Sequence, residues 1–239
     1  IAEATGNQVQ QATLVNNLSL IYQHTGLYGR AIDYAERAVT MARQTQARGN
    51  LAYFLDTLAR AYLGLGLLER AEQVFVEGRA TAQEVGDRGV EPSYTLGLGW
   101  VALAAGRPTE AVQHFEAAAE AWTELGATSE VGVALAWKGA AHLALGEVAA
   151  AQEATARAAA LAEAGSVTSE YDSQDVWWWR YRALTAPHHP SPQAPLAGEG
   201  AGDGGDAAWY ALDRARADVV AAVATLSDDG LRRSYFSKV

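Results

Sequence analysis

Glycine recurs at an interval of 40 residues in this 239-residue chain. The recurring glycines are Gly26, Gly66, Gly106 and Gly146. An alanine stands at the fifth residue after each of them: Ala31, Ala71, Ala111 and Ala151. Self-similarity at a fixed interval of about 20 to 50 residues is the signature of a repeat array, in which each unit packs only on its neighbours. The sequence therefore predicts a small motif that is stacked several times.

Residues 49–80 show what one repeat contains. Two apolar stripes of helical periodicity lie on either side of Gly66. The first stripe is Leu51, Leu55, Leu58, Ala59 and Tyr62, and the second is Leu68, Ala71, Val74, Phe75 and Gly78. Because glycine adopts a positive φ at low steric cost, Gly66 is expected to end the first helix. One repeat is therefore predicted to be a helix, a tight turn and an antiparallel helix.

Small residues recur where the two helices of each pair are predicted to meet. One position of the first helix holds Ser19, Ala59, Gly99 and Gly139, and the facing position of the second helix holds the recurring alanines. Small side chains at both positions allow the two backbones to approach closely, with larger side chains packed around them.

These positions resemble the pattern of the tetratricopeptide repeat (TPR) family. The first repeat matches at Val15, Leu18, Ser19, Tyr22, Gly26, Ala31, Ala35 and Ala38, and the second at Leu55, Leu58, Ala59, Tyr62, Gly66, Ala71, Phe75 and Gly78. The third and fourth repeats follow in the same register, with Lys138 as a departure in the fourth. The resemblance implies an all-α fold, a right-handed α-solenoid (a superhelix) of antiparallel helix pairs. The long unit resembles those of kinesin light chains and of large bacterial regulators.

The pattern divides the chain into three segments. Residues 1–185 are expected to hold four repeats and the first helix of a fifth, Val176–Leu184. Residues 186–207 contain four of the six prolines and then a glycine-rich stretch, which predicts a disordered insertion. Residues 208–239 are expected to form the second helix of the fifth repeat and a C-terminal capping and exit helix. The end of the chain resembles the ends of repeat arrays in multidomain bacterial signalling proteins, which implies an effector domain beyond Val239.

Composition argues against several classes of partner and site. The formal net charge of −10 disfavours nucleic acid and anionic membrane surfaces, which attract basic proteins. The chain has no cysteine, which excludes disulfides and thiolate metal sites. It also lacks an apolar run of about 18 residues, the length expected of a transmembrane helix. We therefore expect a cytoplasmic protein, and the preference for arginine over lysine indicates a bacterial source.

No motif of the chain predicts catalysis or cofactor binding. His24, His114 and His142 each lack the second histidine of an HExxH site, and His188-His189 is interpreted as a solvated pair within the insertion. The glycine-rich residues 198–205 lack the lysine that a phosphate-binding loop requires. We therefore predict no catalytic residues, no metal site, no cofactor and no enzyme activity.

The resemblance implies a binding groove on the concave side of the array, lined by the first helices. The residues at the corresponding positions are Asn16, Leu20, Tyr53, Asp56, Arg60, Leu96 and Trp100. The apolar and aromatic members favour an extended or helical partner with apolar anchors, flanked by Asp56 and Arg60. The alternative is that these side chains only pack between adjacent first helices.

Three consecutive tryptophans, Trp177, Trp178 and Trp179, are a second candidate site. Successive helical positions are about 100° apart, so the three indoles cannot all face the core. One interpretation is an apolar seal over the last repeats, and the other is a docking patch for a partner, since exposed aromatic residues favour interfaces.

Taken together, these features predict a protein–protein interaction scaffold that binds a protein or peptide partner in the concave groove. Its expected role is the regulatory arm of a larger bacterial signalling protein. The alternative is a sensor module whose groove closes around a small ligand or a signalling peptide.

Overall fold

The computed structural model of the chain describes residues 2–165, 174–186 and 204–224. Its helices are α1 (Ala2–His24), α2 (Tyr28–Thr45), α3 (Arg48–Gly64), α4 (Leu68–Val85), α5 (Glu91–Ala104), α6 (Pro108–Leu125), α7 (Thr128–Ala144), α8 (Val148–Ala164), α9 (Gln174–Thr185) and α10 (Gly204–Ala224). No strand occurs within these described ranges. The predicted all-α class of antiparallel helix pairs is confirmed.

The helices belong to two compact units. Unit 1 contains α1 to α5, and unit 2 contains α6 to α9 together with α10 as far as Ala222. Within each unit, a helix packs on its partner in the pair and on the first helix of the next pair. This is the neighbour-on-neighbour packing that the repeat predicts.

Glycine ends the first helix of each pair, as predicted. Gly66 has φ +78°, and its three equivalents have φ between +73° and +76°. At this turn the Leu67 amide donates to the Tyr62 carbonyl at 2.9 Å, which satisfies one of the carbonyls left free at the helix end. Between successive pairs, the structure has a second set of residues with positive φ, which the sequence analysis did not predict. These residues are Gln46, Gly86 and Gly126.

The predicted close contact is also confirmed within the first and fourth pairs. The four recurring alanines of the second helices are fully buried. In the first pair, the Ser19 hydroxyl donates to the Ala31 carbonyl at 2.8 Å. In the fourth, a Cβ placed on Gly139 would stand 2.5 Å from Thr155 Cγ2. Residues larger than serine at these first-helix positions would therefore force the two helices apart.

Contacts between pairs within unit 1 depend on two further glycines. A Cβ on Gly97 of α5 would overlap the ring of Phe75 on α4, and a Cβ on Gly78 of α4 would overlap the ring of Tyr94 on α5. The two rings meet edge to face, with centroids 6.5 Å apart. The Tyr94 hydroxyl donates to the Ala52 carbonyl of α3, so this side chain connects the second pair to α5.

Unit 2 ends in a small aromatic core around Trp177. Ala211 and Ala215 of α10 pack with Trp177 of α9, and the Tyr210 ring lies edge-on to this indole with centroids 5.7 Å apart. The helix α10 begins at Gly204, before the expected start at residue 208. The remainder of the proline- and glycine-rich segment and the predicted C-terminal exit helix lie outside the described residues.

Candidate functional site

The predicted groove residues of unit 1 lie on α1, α3 and α5. These first helices contact one another in order, α1 with α3 and α3 with α5. We call this surface the first-helix face, defined by Asn16, Leu20, Tyr53, Asp56, Arg60, Leu96 and Trp100. All of these residues belong to unit 1.

The residues of the first-helix face differ in how far solvent reaches them. Asn16 and Leu96 are fully buried, and Asp56 is nearly so. Leu20, Tyr53, Arg60 and Trp100 are half-buried and keep part of their surface accessible. The accessible part of this face is therefore aliphatic, aromatic and basic.

Arg60 is the central side chain of the first-helix face. Its Nη1 lies 3.8 Å from Oδ2 of Asp56, one turn earlier on α3. Its guanidinium carbon lies 5.9 Å from the centre of the Trp100 ring on α5. A guanidinium over an aromatic face is attracted by the ring quadrupole. Arg60 therefore connects two first helices, α3 and α5.

Asn16 is a buried amide that lacks a hydrogen-bond partner. Neither Oδ1 nor Nδ2 has a partner among the described residues, although the side chain is fully buried in α1. Leaving such a group unsatisfied costs about 1 to 3 kcal/mol.

Side chains that the sequence analysis did not select hold the first-helix face together. Gln23 Nε2 on α1 donates to the Thr57 carbonyl on α3 at 2.8 Å. Burial raises the pKa of Tyr94, and the nearby Asp56 carboxylate raises it further. Tyr94 therefore stays neutral, and its hydroxyl donates to the Ala52 carbonyl of α3. The repeat pattern contained no signal for Gln23, because the equivalent positions on later first helices are not glutamine.

The three tryptophans of α9 lie in three different environments. Trp177 is buried and has the Arg214 guanidinium 5.0 Å from its ring centre. Trp179 is half-buried against Trp137 of α7, with ring centroids 5.2 Å apart. Trp178 is 41% exposed and lies beside Tyr181 of the same helix. The hypothesis of a docking patch therefore concerns Trp178, whereas Trp177 is a core residue.

Two histidines of the described residues, His114 and His142, each contact a carboxylate. His142 Nδ1 lies 2.6 Å from Glu147 Oε2, and His114 Nε2 lies 3.6 Å from Glu110 Oε1. No group of three or more His, Cys, Asp or Glu side chains that could hold a metal ion occurs in the described part of the chain. His188 and His189 lie outside it. None of the described helices is long and apolar enough to span a membrane.

Residues 12–45, which cover most of the first helix pair, match the family model described as tetratricopeptide repeat. A comparison with curated proteins found no match.

Solved structures show the same arrangement of helices at low sequence identity. The chain is similar to aspartyl phosphate phosphatase F from Bacillus subtilis, with a TM-score of 0.69 and 17% identity over 89% of this chain and 51% of the phosphatase. It is similar to a Rap protein complexed with competence and sporulation factor, with a TM-score of 0.68 and 16% identity over 96% of this chain and 62% of that protein. It therefore spans about half to two thirds of these two proteins.

A third similar structure has nearly the same length as this chain. It is a putative kinesin light chain from Podosopora anserina with nearly identical TPR-like repeats. The TM-score is 0.59 and the identity 16%, over 89% of this chain and 96% of that one. The fold of the repeats is therefore shared with a protein of Bacillus subtilis and with a putative kinesin light chain.

Proposed function

We propose that this chain, whose helix pairs have the fold of tetratricopeptide-type repeats, is a non-catalytic scaffold that binds a protein or peptide partner on the first-helix face of unit 1. The observation that carries the proposal is the position of Arg60, which lies between Asp56 and the Trp100 ring. Trp and Arg are among the residues that contribute most to binding energy at protein interfaces.

The side chains that stay accessible on the first-helix face indicate what kind of peptide segment would bind there. Leu20, Tyr53 and Trp100 offer apolar contact area on three successive first helices. Arg60 contributes a partly accessible guanidinium, a charged group that suits a carboxylate or a backbone carbonyl of the partner. An extended or helical segment with apolar side chains on one side and an acceptor near Arg60 would complement this surface.

The comparisons support this proposal at the level of the fold. A Rap protein of similar fold has been crystallised with competence and sporulation factor bound. A repeat array of this type therefore accommodates a second molecule. We propose for this chain the corresponding role of a cytoplasmic regulatory arm in a larger bacterial signalling protein, in which the bound partner controls an effector domain of the same parent chain.

A sensor that binds a small ligand or a signalling peptide is the second candidate, and the Rap complex with competence and sporulation factor favours it. Ligands that bind only the folded state raise its thermal stability with concentration. Only the sensor predicts stabilisation by a small molecule from a metabolite library, whereas stabilisation by peptides alone fits both roles.

Selection from a peptide display library, followed by affinity measurements, tests the proposed surface. Peptides selected on the intact chain are expected to lose about tenfold or more in affinity for Arg60→Ala and for Trp100→Ala. The matched controls are Arg79→Ala on α4 and Trp178→Ala in unit 2, which should bind as the parent chain does. Thermal unfolding of each variant checks that the fold is intact. Undiminished affinity in Arg60→Ala and Trp100→Ala would exclude the first-helix face.

A further inference from the structure

A cleft recurs beside the turns that join successive helix pairs. In unit 1 it has a volume of about 620 Å³ and lies where the ends of α2 and α4 meet the start of α3. Its counterpart in unit 2 has a volume of about 450 Å³ and lies where the ends of α6 and α8 meet the start of α7. We call the second one the unit 2 cleft, and its walls include Thr123, Ala127, Val131, Arg157, Ala160 and Leu161. It lies outside the first-helix face, and the inference drawn from it goes beyond the proposed function.

The charges that line the cleft of unit 1 are compensated within the chain. Nη2 of Arg43 on α2 lies 2.6 Å from Oε1 of Glu77 on α4, and both residues line this cleft. Arg48, at the start of α3, lines it as well, and its Nη1 lies 2.7 Å from Oε2 of Glu84. Each arginine of this cleft therefore has a carboxylate of the same unit as its partner.

The unit 2 cleft has the same position in the repeat but different chemistry. Thr123 stands 80 residues after Arg43, and Arg157 stands 80 residues after Glu77. The Thr123 hydroxyl donates to the Ala119 carbonyl of its own helix at 2.7 Å. Arg157 forms no ion pair with a carboxylate of the described residues, including Glu153 one turn earlier on α8. The two replacements therefore leave one arginine in this cleft without the carboxylate that its counterpart in unit 1 has.

The neighbouring charges do not neutralise Arg157. Glu116 on α6 is hydrogen-bonded by Lys138 Nζ at 2.8 Å, and this bond is the main cause of the lowered pKa of Glu116. The charge of Arg157 lowers the same pKa further, so it acts on a carboxylate that already has a cationic partner. Two cations and one carboxylate leave a net positive charge beside the cleft, which favours an anion.

The rest of the cleft is apolar and has the size of a small-molecule site. Val131 is buried, Leu161 is half-buried, and Ala127 and Ala160 contribute methyl groups. Sites for small molecules are mostly apolar clefts of about 300 to 1,000 Å³ with a few polar groups that fix the orientation of the ligand. Stable protein interfaces bury more than about 1,000 Å², which calls for a broader surface. The dimensions therefore favour a small molecule.

We propose that the unit 2 cleft binds a small apolar monocarboxylate. Its carboxylate pairs with the Arg157 guanidinium, and its hydrocarbon part lies against Val131 and Leu161. Because Arg157 is exposed, the apolar contacts supply most of the affinity and the arginine selects the charge of the ligand. The cleft of unit 1 does not offer this site, because Glu77 at the position of Arg157 would repel the carboxylate.

Octanoate is the probe, and isothermal titration calorimetry of the intact 239-residue chain measures its affinity. Octylamine and octanol keep the hydrocarbon chain and replace the carboxylate by a cation or by a neutral hydroxyl. We expect octanoate to bind about threefold or more tightly than either. Arg157→Glu should reverse the order of octanoate and octylamine. Arg182→Glu is the matched control, because Arg182 lies over Trp178 outside the cleft, and it should keep the parent order.

Filling the cleft tests the apolar part. Ala160 and Ala149 are both exposed on α8, and only Ala160 lines the cleft. Ala160→Phe should weaken octanoate binding about tenfold or more, and Ala149→Phe should leave it unchanged. Circular dichroism and thermal unfolding check that each variant keeps the parent fold.

Three results would overturn the proposal. The first is a parent chain that does not bind octanoate, or binds octylamine equally well. The second is undiminished octanoate binding by Ala160→Phe. The third is binding of a peptide with a free C-terminal leucine in preference to octanoate, which would indicate a protein partner as the occupant of the cleft.

Discussion

Gly97 on α5 lies directly against the ring of Phe75 on α4, so that a Cβ at position 97 would overlap the ring. Phe75 is fully buried and has the Tyr94 ring at its edge, so it has no free space into which it can turn. The junction between the second pair and α5 therefore depends on the absence of a side chain at one position. The equivalent position in unit 2 holds Trp137, whose ring centroid lies 6.3 Å from that of Phe115.

Gly97→Ala should lower the stability of unit 1. Overpacking a tight contact costs about 1 to 3 kcal/mol, which outweighs the gain in helix propensity of about 1 kcal/mol or less. Urea denaturation followed by circular dichroism measures the change. Gly49→Ala in α3 is the control, because a Cβ there meets no atom within 4 Å, and this variant should be as stable as the parent or slightly more stable. Equal stability of the two variants would contradict the contact.

Asn16→Leu should raise the free energy of unfolding. Replacing an unsatisfied buried amide by an apolar side chain of similar size removes a desolvation cost of about 1 to 3 kcal/mol. The exposed neighbour provides the control, since Asn17→Leu should change stability by about 0.5 kcal/mol or less. A clear loss of stability in Asn16→Leu would show that this amide is satisfied in solution.

The contribution of Lys138 to stability should depend on pH. Its hydrogen bond lowers the pKa of Glu116, so the stabilisation is present above the unfolded-state pKa, near 4.5, and is lost as the pH falls through the lower folded-state value. Because Glu116 is half exposed, Lys138→Met should cost at most about 1 kcal/mol at neutral pH. The difference from the parent should vanish when Glu116 is protonated in both states. Urea titrations of the parent chain and of Lys138→Met at neutral and acidic pH test this prediction. A difference in unfolding free energy that persists in acid would contradict it, and would show that the aliphatic part of the lysine side chain contributes through packing.

Trp177→Ala and Trp178→Ala should behave differently although the residues are adjacent. Trp177 packs with Ala211 and Ala215 of α10, so its removal should cost about 3 to 5 kcal/mol and loosen α10. Trp178 is 41% exposed, and its removal should cost about 1 kcal/mol or less. Thermal unfolding of the two variants measures the contrast. Similar losses in both would contradict the assignment of Trp177 to the core.

The sequence predicted the helices and turns because they depend on local rules. Gly26 and Gly66 end helices since only glycine takes a positive φ without strain, and Ala31 and Ala71 mark the contact within a pair. Contacts between pairs were harder to predict. The fit of Tyr94 against Gly78 depends on the distance between helices from different repeats, which periodicity does not specify.

For the same reason, the sequence did not predict how deeply each residue of the first-helix face is buried. Helical spacing predicts that Asn16, Leu20 and Leu96 point to the same side of the array, but it does not give the depth of each side chain. The structure buries Asn16 and Leu96 and leaves Leu20 partly accessible. Arg60 and Trp100 are 40 residues apart in sequence and lie on different helices, so no local pattern predicted their contact.

Amide hydrogen exchange with and without a selected peptide tests the central claim most directly, because it reports which helices a partner covers. The account predicts that slowed exchange is concentrated in α1, α3 and α5 around Arg60 and Trp100. It also predicts that Arg60→Ala reduces this protection at the same peptide concentration. Protection confined to α9 and α10 around Trp178, with the first helices of unit 1 unchanged, would contradict it.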